Sequence, residues 1–266
     1  MKSKIALAFQ KCEKENRPAL ITYFVGGDGG KKKSLNILNA LSKEADLCEI
    51  GFSFSTPIAD GGEIQNCHHR TLTSGIRIKD IFDIVKKYNQ NKNSKPIILM
   101  GYYQTIFHYG ENKFIKKCKE VGVCGLIVVD LPFPENLPFA KKCKSNSICF
   151  LQLISPTTST QRAKKIIQNS DEMNYLISML STTGGKLKVL PKKILENYNK
   201  IKKINPAKKL VIGFGITAKT IGSFKSSDGV VLGSPICKEI TKSLELRQNP
   251  VTNLSKMVFN LKRKII

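Results

Sequence analysis

Two acidic residues lie in the stretch CEIGFSFSTPIADGGEIQ, Cys48 to Gln65, at positions where acids are unexpected. Glu49 interrupts an apolar run typical of a buried strand, and Asp60 follows eleven residues later in a glycine-rich turn. Burying an unpaired carboxylate costs several kcal/mol, so Glu49 needs a partner or a use for its proton. Two carboxylates in different surroundings could divide acid–base work, one partly protonated beside apolar walls and the other ionised.

A second chemical signal is a set of glycine motifs near the end of the chain: STTGGK (181–186), GFGI (213–216) and LGSP (232–235). Each follows a run typical of a strand, and the last precedes a helical pattern. Backbone N–H groups that converge beside a helix N-terminus bind phosphate well. One such motif is weak evidence, because loop glycines are commonly turn residues, but three at neighbouring loops predict a phosphate site.

The elements that must position these residues follow a regular rhythm. Eight apolar runs predict strands at 19–25, 47–52, 96–100, 125–130, 148–154, 175–180, 210–215 and 229–233. The runs are continuous rather than alternating, which is typical of parallel strands buried on both faces. Helical stripes separate the strands, for example Phe114, Ile115, Cys118 and Val121 before Gly122.

Eight strand-then-helix units in 266 residues favour an α/β fold, the (β/α)₈ TIM barrel, with an extra N-terminal helix from Ile5 to Glu15. No linker divides the chain, so residues 1–266 are predicted to form a single domain. Active sites of this fold lie at the carboxyl ends of the strands, where Glu49, Asp60 and the three glycine loops would meet.

Composition narrows the function classes. The net charge is +24, with 44 basic and 20 acidic residues, but the lysines recur in short groups along the whole chain. This pattern favours a solvated outer face over a specific nucleic-acid site, unless folding gathers the lysines on one face. The sequence has no 18-residue apolar stretch and no signal-peptide core, which predicts a cytoplasmic protein without a membrane segment.

The cysteines and histidines give little sign of a metal centre. Eight scattered cysteines include no Cys-x-x-Cys pair, which favours free thiols. His68 and His69 are adjacent and would point in different directions on a helix, so they make a poor pair of metal ligands. We therefore expect no metal.

From about residue 15 to 240 the chain resembles the tryptophan synthase alpha chain family. The family pattern E-L-G-x-P-F-S-D-P-x-A-D-G-P-x-I-Q corresponds here to EIGFSFSTPIADGGEIQ. PIILMGYYQTIFHYG, GLIVVDLP, TTGG, GFGI and LGSPI match in the same order. The resemblance implies a lyase that needs no cofactor and splits indole-3-glycerol phosphate into indole and glyceraldehyde 3-phosphate by a retro-aldol step. It also implies a beta chain partner in an alpha2 beta2 assembly.

The resemblance also assigns roles to residues. Glu49 matches the catalytic glutamate, which would move a proton between the C3′ hydroxyl and indole C3, and Asp60 matches the aspartate that would hold the indole N–H. Tyr102, Tyr175 and Thr183 match substrate-binding positions, Thr183 as the expected partner of Asp60. The phosphate-binding positions correspond to Gly184, Phe214, Gly215, Gly233 and Ser234.

Several positions depart from the family pattern. Thr56 stands where a carboxylate is expected, Met179 and Ser181 replace an arginine and a glycine, and GDGG (27–30) replaces Gly-Asp-Pro. These changes spare both acids but leave loop closure and coupling to the beta chain open. The alternative is therefore a catalytically weakened alpha chain kept mainly to activate its partner.

Two other phosphate-binding barrels fit the sequence less well. An indoleglycerol phosphate synthase would need a catalytic lysine at a strand end, and the predicted strands contain none. A phosphoribosylanthranilate isomerase would need a cysteine and an aspartate, and no such pair can be placed here.

Overall fold

A computed structural model of the chain describes residues 2–178, 190–213 and 215–266. Within them the strands are β1 (Ala19–Val25), β2 (Leu47–Gly51), β3 (Ile97–Gly101), β4 (Gly125–Val128), β5 (Cys149–Phe150), β6 (Gln152–Ile154), β7 (Met173–Ile177), β8 (Lys209–Gly213) and β9 (Gly229–Leu232). The helices are α1 (Lys4–Lys14), α2 (Lys31–Leu41), α3 (Gly62–Thr73), α4 (Ile78–Asn89), α5 (Tyr103–Tyr109), α6 (Glu111–Val121), α7 (Leu137–Ser145), α8 (Thr160–Gln168), α9 (Pro191–Lys202), α10 (Ser234–Glu245) and α11 (Pro250–Lys262), with a 3₁₀ helix at Ile221–Phe224.

The strands form one parallel sheet in the order β5-β4-β3-β2-β1-β9-β8-β7-β6. The two outermost strands, β5 and β6, are separated only by Leu151, whose N–H donates to the Leu126 carbonyl of β4 at 2.9 Å. They are two parts of the single run predicted at 148–154, so the sheet curves round into a barrel. The predicted (β/α)₈ barrel is confirmed, and each of the eight predicted strands overlaps an observed one.

The barrel strands are apolar because both of their faces are covered. Every residue of β1, β2, β3 and β4 is buried, as the continuous apolar runs predicted. The apolar stripe predicted before Gly122 is the buried face of α6, which consists of Phe114, Ile115, Cys118 and Val121. It then ends at Gly122, whose φ of 81° is the left-handed conformation that glycine adopts without strain.

The predicted extra N-terminal helix is α1, which begins where the Ser3 side chain accepts a hydrogen bond from the Ala6 N–H at 3.0 Å. It buries Ile5, Phe9 and Cys12. Ile5 lies beside Gly125, the first residue of β4. This contact puts α1 under the amino ends of the strands, at the opposite end of the barrel from the predicted site.

The positions of the lysines and the state of the cysteines agree with what the sequence predicts. Pairs or triplets of lysines lie on six different helices, α2, α4, α6, α7, α8 and α9, so they are distributed around the barrel. This distribution disfavours a single nucleic-acid-binding face. All eight cysteines are free, and all but Cys124 are buried. None of the helices in the described ranges is long and apolar enough to cross a membrane.

Candidate active site

Glu49 is fully buried in the middle of β2, where its Cα pairs with Tyr23 on β1 and Ile98 on β3. Neither carboxyl oxygen has a hydrogen-bond partner among the described residues. Burial without a compensating partner raises the pKa of Glu49 to about 8. A glutamate in this state is largely protonated near neutral pH and exchanges its proton at little cost, which suits a general acid–base group.

Asp60 lies in the loop between β2 and α3 and is also buried. Its Oδ2 atom accepts a hydrogen bond from the Tyr102 hydroxyl at 2.8 Å, and the same hydroxyl accepts the Ala59 N–H at 3.0 Å. Burial, the charge of Asp60 and this hydrogen bond raise the pKa of Tyr102 well above its usual 10. Tyr102 therefore stays protonated and serves Asp60 as a donor.

Tyr175 of β7 lies close to both acids. Burial raises its pKa, and the charges of Glu49 and Asp60 raise it further. The structure thus brings together four of the predicted residues: Glu49 and Tyr175 from strands, Asp60 from the following loop, and Tyr102 just after β3.

A cavity opens at the carboxyl ends of the strands. Its lining residues come from opposite sides of the barrel: Tyr23, Asp60, Ile64, Met100, Tyr175, Gly215, Ile216, Val231, Gly233 and Ser234. One part is apolar and aromatic, with Asp60 on its wall, and another is formed by glycines at a helix start. A mainly apolar lining with a few polar groups is typical of a small-molecule site.

Two strand glycines allow the aromatic side chains to lie across the barrel. A Cβ atom at Gly213, the last residue of β8, would lie 2.0 Å from the Tyr175 ring. A Cβ atom at Gly51, the last residue of β2, would lie 2.4 Å from the Tyr23 hydroxyl oxygen. Since real Cβ contacts are never this short, only glycine leaves room for these rings.

The glycine-rich end of the cavity lies at the start of α10. Gly233 is the residue before the helix, Ser234 is its first residue, and both line the cavity. Gly215, after β8, has a φ of 67° that favours glycine. At the start of this twelve-residue helix Pro235 has no N–H, and the N–H groups of Ile236 and Cys237 donate to the Gly233 carbonyl. The Ser234 N–H and the positive end of the helix dipole are what α10 offers to an anion.

Thr183, Gly184 and Phe214 lie outside the described residues, as do Met179 and Ser181.

Two residues of the site were not predicted from the sequence, Tyr23 and His68. In the sequence Tyr23 is one residue of the predicted strand 19–25, whereas its register opposite Glu49 points it into the same barrel interior. From the sequence His68 is considered only as a metal ligand, whereas the structure puts this side chain beside Asp60. The described residues contain no cluster of three or more potential metal ligands.

Behind the cavity, an ion pair links three of the elements that form it. Arg70 of α3 makes two hydrogen bonds, of 2.8 and 2.7 Å, to the buried Asp28 in the loop after β1. Its guanidinium also donates to the Thr241 hydroxyl of α10 at 3.0 Å. Arg70 therefore ties the helix after the Asp60 loop to the helix whose N-terminus faces the cavity.

The chain is similar to known proteins along nearly its whole length. A family model described as tryptophan synthase alpha chain matches residues 9–265. The tryptophan synthase alpha chain of Pelagibacter ubique (strain HTCC1062) is 62% identical over 263 residues, or 99% of each chain. Among solved structures, tryptophan synthase subunit alpha from Legionella pneumophila str. Paris has a TM-score of 0.91 at 26% identity, covering 100% of this chain and 99% of that chain. A tryptophan synthase complex from Pyrococcus furiosus matches with a TM-score of 0.82 at 32% identity, covering 91% of this chain and 97% of that chain.

Proposed function

The chain belongs to the tryptophan synthase alpha chain family, and from this premise we propose how its own residues cleave indole-3-glycerol phosphate. The reaction is a retro-aldol cleavage that gives indole and glyceraldehyde 3-phosphate, and the chain is a lyase of tryptophan biosynthesis. The observation that carries the assignment to residues is Glu49, a buried strand carboxyl with no hydrogen-bond partner among the described residues and a pKa raised to about 8.

Glu49 supplies and recovers the proton. Its neutral form protonates indole C3, which puts positive charge on the ring nitrogen. The resulting carboxylate then takes the proton of the C3′ hydroxyl, the C3–C3′ bond breaks, and its electron pair returns to the ring. A carbonyl forms on the departing glyceraldehyde 3-phosphate, and Glu49 is again protonated. A pKa near the working pH allows one residue to act in both directions.

Asp60 stabilises the charge that develops on the ring. Its carboxylate faces the cavity and would accept the indole N1–H, with Tyr102 holding Oδ2. A preorganised acceptor in a site that excludes water stabilises such charge more strongly than water does. Tyr175 would line the indole pocket together with the apolar residues of the cavity wall.

The phosphate end of the substrate would bind where Gly215, Gly233 and Ser234 line the cavity. The N-terminus of α10 supports this assignment through the Ser234 N–H and the helix dipole. Gly184 and Phe214 are assigned to the same group, and Thr183 to the substrate, on the family motif alone. Binding the phosphate at one end fixes the indole at the other, next to the two acids.

The partner of the chain is the tryptophan synthase beta chain, and we propose an alpha2 beta2 assembly on the family pattern. We also propose that residues 1–266 form one domain, since the buried residues described form one continuous hydrophobic cluster from Ile5 to Ile265. A cytoplasmic location is proposed because eight free thiols suit a reducing compartment.

The test is indole release from indole-3-glycerol phosphate by the wild type, Glu49→Gln and Asp60→Asn, each with and without the beta chain. We expect kcat to fall by at least a hundredfold in both variants, the range in which loss of acid–base or charge-stabilising groups falls. The wild type should be slow alone and faster with its partner.

Glu135→Gln is the matched control, because Glu135 is exposed and forms no ion pair with any described residue. It should release indole at the wild-type rate. Normal turnover by Glu49→Gln would refute the mechanism. Weak wild-type cleavage even with the beta chain would support the alternative of a weakened alpha chain, which the intact acid pair does not favour.

A further inference from the structure

His68 is a buried titratable side chain that the mechanism above does not use. It lies on α3, two turns after Asp60, and is 1% exposed. Its Nε2 atom is 3.4 Å from Asp60 Oδ2, and its Nδ1 atom is 3.4 Å from the backbone nitrogen of Phe54. His69 on the same helix is exposed, so it offers an internal comparison.

The contact with Phe54 identifies the imidazole nitrogen that carries the proton. Nδ1 accepts the Phe54 N–H, so in the neutral ring the proton is on Nε2. The side-chain atom nearest to Nε2 on the acid is Asp60 Oδ2. The two atoms lie 3.4 Å apart without forming a hydrogen bond, and Nε2 has no hydrogen-bond partner among the described residues. Contacts of this kind in unliganded sites commonly shorten when substrate binds.

The surroundings of Asp60 show what this contact adds. The hydroxyl of Tyr102 and Nε2 of His68 both lie beside Oδ2, while Oδ1 accepts no hydrogen bond from any other described residue. Tyr102 also stacks on Phe54, with ring centroids 4.8 Å apart and planes inclined by 20°. His68 and Tyr102 thus hold the loop at two points, near Phe54 and at Asp60.

We propose that His68 is a positioning residue that holds Asp60 Oδ2 and so directs Oδ1 at the indole N–H. The inference rests on the proposed role of Asp60. The carboxylate belongs to a loop, so its orientation depends on such contacts rather than on the barrel itself. Displacing a catalytic group by about 1 Å can cost a hundredfold in rate.

The experiment compares indole release by the full chain with its beta chain, for the wild type, His68→Leu, His68→Gln and His69→Gln. His68→Leu removes the donor and should lower kcat about tenfold with KM changed less than twofold, because the loss falls on the transition state. His68→Gln keeps an N–H donor at a similar reach and should retain most of kcat. His69→Gln should match the wild type.

A double-mutant cycle with Asp60→Asn separates positioning from a general structural role. With enzyme in excess over substrate, His68→Leu should cause no further loss in the Asp60→Asn background. Equal losses in both backgrounds, or equal losses from His68→Leu and His68→Gln, would overturn the proposal. Should His68→Leu fail to fold, wild-type KM with a kcat below one fifth of wild type in His68→Gln would overturn it too.

The cycle also distinguishes the two possible failures. Wild-type activity in Asp60→Asn would refute the proposed function of Asp60 itself. An inactive Asp60→Asn variant beside a fully active His68→Leu variant would refute only the role of His68.

Discussion

Because Glu49 is buried, the free energy of unfolding should depend on pH in a way that can be tested without an activity assay. Replacing Glu49 with Gln removes an ionisable group whose pKa rises from 4.5 to about 8 on folding. The folded state therefore binds the proton more tightly than the unfolded chain does. The contribution of Glu49 to stability is therefore fully present below pH 4.5, is lost as the pH rises towards 8, and is constant above that, since the folded protein then also carries the buried charge.

The size of this effect follows from the two pKa values. Each pKa unit corresponds to about 1.36 kcal/mol, so ionising Glu49 destabilises the fold by roughly 5 kcal/mol at most. Between pH 5 and pH 9 the wild type should lose roughly 4 kcal/mol relative to Glu49→Gln, because part of the penalty is already present at pH 5. In a protein of this size that corresponds to a relative Tm change of roughly 10 °C.

Urea denaturation of both proteins at pH 5, 7 and 9 measures the difference. The cost of burying the Gln amide is the same at every pH, so it cancels when the differences are compared. Glu135→Gln serves as the control, since it removes an exposed carboxylate, and its stability should follow that of the wild type across the range. Parallel curves for the wild type and Glu49→Gln would refute the conclusion that Glu49 is desolvated.

Two further predictions concern the framework of the site. Gly213→Ala should destabilise the fold by about 1–3 kcal/mol and lower activity, because the added Cβ meets the Tyr175 ring at 2.0 Å. Gly62→Ala, where a Cβ meets nothing within 4 Å, should leave the Tm unchanged or slightly raised. Arg70→Met should lower the free energy of unfolding in urea by about 3 kcal/mol, because Asp28 stays buried without its partner. The value is at the low end for a broken buried pair because the Arg70 side chain is 32% exposed. Adding Asp28→Asn should recover most of that loss, and no recovery would contradict the ion-pair explanation.

Much of the fold could be predicted from local patterns. Continuous apolar runs mark the strands because a parallel barrel strand is covered on both faces, and the stripe that ends at Gly122 marks a helix with a left-handed end. The rule that sites lie at strand carboxyl ends predicts that Glu49, Asp60 and the glycine loops share one mouth. Of the described residues among these, Asp60, Gly215, Gly233 and Ser234 line the cavity. One of the eight predicted strands, 148–154, is divided at Leu151 in the structure, since the residues before it pair with β4 and those after it pair with β7.

The sequence by itself determined which residues are acidic, which are glycine and which strands they follow, because these depend only on residue type and order along the chain. Only the tertiary structure decided the environment of each residue. Glu49 has a raised pKa because β1 and β3 enclose it, and Tyr23 enters the cavity because Gly51 leaves room for its hydroxyl. His68 reaches Asp60 because the loop folds back over α3. Burial and proximity depend on contacts between residues distant in sequence, and no local pattern records them.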